Sequence, residues 1–118
     1  MSVTAEAIAA WAGAFGFTQL VEAPIYRRAL GVRWFLALGA STVTHPFVWF
    51  AFPWLAEELS LAWTPVAVGA ELFAWFVEAV FFVLVAKVRW RRAIIVSLLA
   101  NAASVTLGLL SRRCFGWP

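Results

Sequence analysis

Residues 66–86 read VAVGAELFAWFVEAVFFVLVA, an apolar run broken only by Glu71 and Glu78. The hydrocarbon core of a bilayer takes about 20 apolar residues in helical form, so this stretch predicts a membrane-spanning helix. Its two glutamates lie two helical turns apart on one stripe, about 10 Å from each other along the axis. Three further stretches of the same kind follow on working outward: 7–26, 34–52 and 93–110. The connections 27–33, 53–65 and 87–92 are too short for an extramembrane domain. Composition agrees, with 64% hydrophobic residues, 13% charged residues and a mean hydropathy of +0.89 over 118 residues. A soluble domain of this length could not bury so much apolar surface. The expected fold class is therefore an all-α membrane protein, a four-transmembrane-helix bundle forming one domain over 1–118.

The basic residues orient it. Arg27, Arg28 and Arg33 fall in the first connection and Lys87, Arg89, Arg91 and Arg92 in the third. The second connection carries Glu57 and Glu58 and no base. The positive-inside bias then puts the first and third connections in the cytoplasm, against lipid headgroups, and both termini outside. Topology thus accounts for the net charge of +3 without nucleic acid. Met1 to Ala7 contains Glu6 and no base, unlike a cleavable secretory leader, so the first span is expected to be retained. Trp34, Trp54, Trp63, Trp90 and Trp117 fall at span ends, where indole favours the interface, while Trp49 and Trp75 lie deep. Cys114 stands alone, which excludes an internal disulfide framework.

The two halves match in register. Val21, Glu22 and Ala23 recur as Val77, Glu78 and Ala79, and Val32, Arg33 and Trp34 as Val88, Arg89 and Trp90, both at a spacing of 56 positions (21 to 77, 32 to 88). His45 meets Asn101 at the same spacing. The matches predict two tandem helical hairpins related by an axis along the membrane normal, with Glu22 and Glu78 at similar depth.

Glu22, His45, Glu71, Glu78 and Asn101 are the polar residues expected inside the bilayer, where a charge costs about 3 kcal/mol on insertion scales. They should face the bundle interior. Facing glutamates repel unless a proton lies between them, so Glu22 and Glu78 form a candidate proton or cation site. The same groups, with Ser104, also fit plain interhelical hydrogen bonding. Pro24 and Pro46 free the carbonyls of Leu20 and Thr42 and predict kinks; Ser41, Thr42 and Thr44 offer hydroxyls to the freed backbone groups. A single histidine and no paired His motif leave no zinc-hydrolase pattern. No phosphate loop, serine elbow or kinase set is present either, so no cofactor, metal or catalytic residue is expected and the chain does not read as an enzyme.

Glu22-Ala-Pro24, Thr44-His45-Pro46 followed by Trp49, Glu71 with Glu78, and Asn101 with Ser104 together resemble a set of small bacterial four-helix integral membrane proteins with no assigned activity. The resemblance covers nearly the whole chain and implies architecture and a bacterial inner-membrane location, with no activity to carry over. In length and span number the chain also looks like the small multidrug-resistance exporters, which use a glutamate in the first helix. It departs from them in the position of Glu22 toward the cytoplasmic end and in its tandem repeat. Two functions remain open: a small transporter or channel-like protein handling a proton or cation through Glu22 and Glu78, or a non-catalytic subunit that assembles a larger membrane complex. The first would act alone or as a homo-oligomer; the second requires protein partners.

Overall fold

The computed structural model describes residues 2–118 as an all-helical bundle. Helix α1 (Ala5–Leu30) opens on Thr4, whose hydroxyl accepts the Ala7 N–H at 3.1 Å and satisfies one of the orphan donors of the first turn. It ends on Gly31 at φ 67°, whose N–H returns to the Arg27 carbonyl. Such a left-handed cap suits glycine, which has no Cβ to clash. Helix α2 (Trp34–Pro46) runs into a π-helical segment, Phe47–Ala51, and then helix α3 (Phe52–Glu58), so that Trp34–Glu58 is one rod. Helix α4 (Trp63–Ala86) ends on Lys87, again left-handed at φ 57°, and α5 (Trp90–Phe115) completes the bundle.

The apolar stretches are thus the middles of longer helices. The basic side chains of Arg27, Arg28, Arg91 and Arg92 belong to helix ends rather than loops. Glu57 and Glu58 lie in α3, because the second rod continues through Pro53. Its continuation has a local cause. Pro46 lacks an N–H, and the segment after it widens to i→i+5 bonding, with the Phe52 N–H reaching the Phe47 carbonyl. Pro53 then sits in the opening turn of α3, where a missing donor costs little. Among the described residues, none of the three hydroxyls expected to satisfy backbone freed by Pro46 bonds the Thr42 carbonyl: Thr42 donates to the Leu38 carbonyl at 2.8 Å, whereas Ser41 and Thr44 turn to the glutamates.

Three helical segments, Trp34–Glu58, Trp63–Ala86 and Trp90–Phe115, are long and apolar enough to cross a membrane. Helix α1 is equally long at 26 residues but is rich in Ala and Gly rather than Leu, Ile and Val, and carries Thr18, Gln19 and Glu22 in its interior. It packs on α2 and α5, and α4 packs on the same two helices, leaving α1 and α4 on opposite corners of a square. Neighbouring helices approach through buried alanines, including Ala37, Ala40, Ala93 and Ala100, each fully buried, as expected where small residues let backbones close. Large side chains bridge the diagonal: Tyr26 of α1 and Phe82 of α4 are both fully buried, with ring centroids 4.5 Å apart. The outside is apolar, with Leu20, Phe35, Leu84, Leu99 and Leu109 exposed, the reverse of a water-soluble bundle and the normal surface for lipid contact.

Candidate functional site: a glutamate pair below an open cavity

Glu22 and Glu78 are each 1% exposed and face each other across the diagonal of the bundle, close enough for the charge of Glu22 to act on Glu78. Their depth follows from helix geometry. Each precedes by four residues the aromatic ring that fills the axis, Tyr26 or Phe82, and so lies on the same inward face one turn away.

Hydroxyl groups from three helices converge on the pair. Ser41 Oγ donates to Glu22 Oε2 and Ser104 Oγ to Glu22 Oε1, both at 2.5 Å. Tyr26 OH donates to Glu78 Oε1 at 2.6 Å and Thr44 Oγ1 to Glu78 Oε2 at 2.7 Å. Asn101 Nδ2 lies 3.4 Å from Glu78 Oε1 and makes its closer bond, 2.9 Å, to the Ser97 carbonyl. These O–H···O distances are those of charge-assisted bonds. Among the described residues, no cationic side chain contributes to the surroundings of either carboxyl. The hydroxyls compensate the burial, while the repulsion between two ionised carboxylates has nothing to offset it.

A cavity of about 220 Å³ opens above the pair. Glu22, Thr44, Glu78, Asn101 and Ser104 form its floor, Thr18, His45, Trp49 and Glu71 its middle, and Leu109, Arg112 and Pro118 its mouth, at the end of the bundle that carries both termini. Below the floor the bundle is filled by Tyr26, Phe82, Leu30 and Val32. The cleft therefore reaches the glutamates from one side only.

Helix α4 brings Glu71 into the cavity two turns above Glu78, as the stripe predicted. It is half-buried, with no hydrogen-bonding side chain beside it among the described residues. His45 is 8% exposed and packed among Trp11, Phe15 and Trp49. Its Nε2 lies 3.4 Å from Thr18 Oγ1, and its Nδ1 has no partner among the described residues. The five intramembrane polar residues singled out from sequence thus all line one cavity, though only Glu22, Glu78 and Asn101 share a network. The deep Trp75 does something else: its Nε1 donates to the Ile94 carbonyl at 2.8 Å and ties α4 to α5. Among the described residues, no three His, Cys, Asp or Glu side chains group as a metal site.

Beyond α5 the chain turns at Gly116, and its last residues fold back over the mouth. Ser111 Oγ donates to the Trp117 carbonyl and Arg112 Nε to that of Pro118, the latter at 2.8 Å. The Trp117 indole packs edge-on against Phe17 and lies over Gly13, where any Cβ would come within 3.2 Å of its Nε1.

Two contributors were not singled out from sequence. Tyr26, the single tyrosine, reads as a span end, although its place one turn after Glu22 is the signal that could have found it. Ser97 bonds the Trp75 carbonyl at 2.8 Å and lies 3.4 Å from the Tyr26 hydroxyl. No family model, no curated protein and no solved structure matches the chain.

Proposed function

We propose that this is a small multi-pass protein of a bacterial inner membrane that binds and transfers a proton or cation at the Glu22–Glu78 pair. The observation that carries the reading is the meeting of two buried carboxyl groups, held by four hydroxyl donors, at the floor of a cavity open on one side. Two like unit charges about 4 Å apart repel by roughly 4 kcal/mol at an effective dielectric constant near 20. A proton between the carboxyls or a cation across them removes that repulsion, so occupancy and release are coupled to the state of the pair. No catalytic role is assigned to any residue.

All four long helices span the membrane in this reading. Helix α1 is about 39 Å long at 1.5 Å per residue, and its polar residues Thr18 and Glu22 face the cavity rather than lipid. Both termini lie on the periplasmic side, and Arg27, Arg28, Arg33, Lys87, Arg89, Arg91 and Arg92 meet cytoplasmic headgroups. Single cysteines introduced at Arg33 and Arg89 should label only after the membrane is permeabilised, and one at Glu58 should label from outside. The opposite pattern would invert the orientation.

A duplicated hairpin underlies the pair. Gly31 and Lys87 are both left-handed caps, Arg33 and Arg89 both extended residues before a helix, and Trp34 and Trp90 open α2 and α5. All three pairs have the spacing of the sequence repeat, as have Glu22 with Glu78 and Tyr26 with Phe82. Those two pairs face each other across the diagonal between α1 and α4.

The sealed floor and the mutual satisfaction of hydroxyls and carboxyls favour a second reading, a non-catalytic subunit whose polar network fixes helix register within a larger complex. Mild detergent extraction followed by native mass measurement separates the two. A monomer or homo-oligomer is the outcome expected for transfer; stoichiometric co-purification with larger subunits would favour assembly.

A further inference from the structure

The cavity above the glutamate pair has features that the pair does not use. Its volume, about 220 Å³, is that of about seven water molecules at ~30 Å³ each, more than a bare inorganic ion needs. Ala14, Phe17, Val48 and Leu109 form apolar stretches of its wall, which supply no ligands to a metal. The oxygens of Glu22 and Glu78 already accept from four hydroxyls.

One acceptor is left over in the same cavity. Among the described residues, Glu71 has no hydrogen-bonding side chain beside it. His45 is nine-tenths buried, and its Nδ1 is closed off from the cavity without a partner among the described residues, so its ring forms part of the wall and supplies no acceptor. Trp49, stacked on His45 with centroids 6.1 Å apart, adds an aromatic ring of the kind that attracts cations. Arg112 lines the mouth, where its Nε is engaged with the Pro118 carbonyl.

The geometry points to a small organic ammonium compound, a primary amine on a compact apolar body, as the ligand of this cavity, its N–H groups donating to Glu71 and its body against Phe17 and Trp49. The assignment deepens the reading of the Glu22–Glu78 pair and rests on it for the path of the cation. Binding itself is separable, because Glu71 lies two turns above the pair.

Benzylammonium is the probe, with benzyl alcohol as its uncharged counterpart of similar shape, titrated calorimetrically into the full-length protein in detergent. Saturable one-site binding of benzylammonium is expected, with benzyl alcohol bound at least about tenfold more weakly, as for loss of a charged hydrogen bond. Glu71→Gln should weaken benzylammonium binding by a similar factor. Glu71→Asp keeps the charge and should retain binding, which guards against a fold defect in the Gln variant. No saturable binding to the parent, equal binding of the alcohol, or undiminished binding to a folded Glu71→Gln would each overturn the ammonium site. Proton flux that persists while benzylammonium fails to bind would remove the ammonium site alone; normal benzylammonium binding without flux of any ion would remove the transfer reading of the pair.

Discussion

Tyr26→Ala combined with Phe82→Ala should convert the blind cleft into a leak. These two rings fill the bundle axis directly below the glutamates, and both are fully buried. Truncating both removes the largest apolar volume between the cavity floor and the opposite end of the bundle, leaving Leu30 and Val32 as the main side chains below the floor. Proteoliposomes carrying the double variant should collapse an imposed pH gradient several-fold faster than those carrying the parent. Each single truncation should cost about 3–5 kcal/mol of stability, the usual range for a buried aromatic residue cut to Ala. Tyr26→Phe serves as the contrast, since it keeps the plug and removes only the donor to Glu78. A double variant that is folded yet no leakier than the parent would show that the seal lies elsewhere.

Glu78→Leu should be the most damaging single change in the polar network. Leucine has nearly the right volume but accepts nothing, and it leaves the Tyr26 and Thr44 hydroxyls without their acceptor. Orphaning a buried donor costs about 1–3 kcal/mol, so two together give about 2–6 kcal/mol. Interhelical hydrogen bonds in membranes average only about 0.6 kcal/mol, and Glu78→Gln, which keeps an acceptor oxygen, should lose no more than about that. Reversible unfolding in mixed detergent micelles would compare the two variants. Equal losses would mean that the carboxyl shape, and not its accepting oxygens, is what the bundle requires.

How much of this was legible in the sequence depends on the kind of force involved. The helices were readable because a bilayer imposes one length and one polarity on each span, and the run at 66–86 matches α4 closely for that reason. Helix ends were not, since α2 passes into α3 through Pro53 by a π-helical detour that hydropathy does not encode. Glu22 and Glu78 could be paired through the spacing of Val-Glu-Ala, and Glu71 could be set on the stripe above them. Which hydroxyls they would recruit was not readable. Ser41 and Thr44 had two possible uses, the freed carbonyls near Pro46 or the carboxyls across the bundle, and only the packing of α1, α2 and α4 decides between them. The cavity and its closed floor depend on where four helices converge, and no local pattern reports that.

In the proposed function Glu22 and Glu78 form one exchangeable proton or cation site. Its most direct test is ion flux in proteoliposomes, with the parent compared against Glu22→Gln, Glu78→Gln and the double Gln variant across protons and a panel of monovalent cations. Gln keeps the shape and a hydrogen-bonding oxygen but cannot ionise. Flux above empty vesicles for the parent, reduced to background by either single substitution in protein that remains folded, is the predicted result. A double Gln variant matching the parent in flux, or a parent indistinguishable from empty vesicles across the whole panel, would contradict the account and leave the pair as a structural bond between helices.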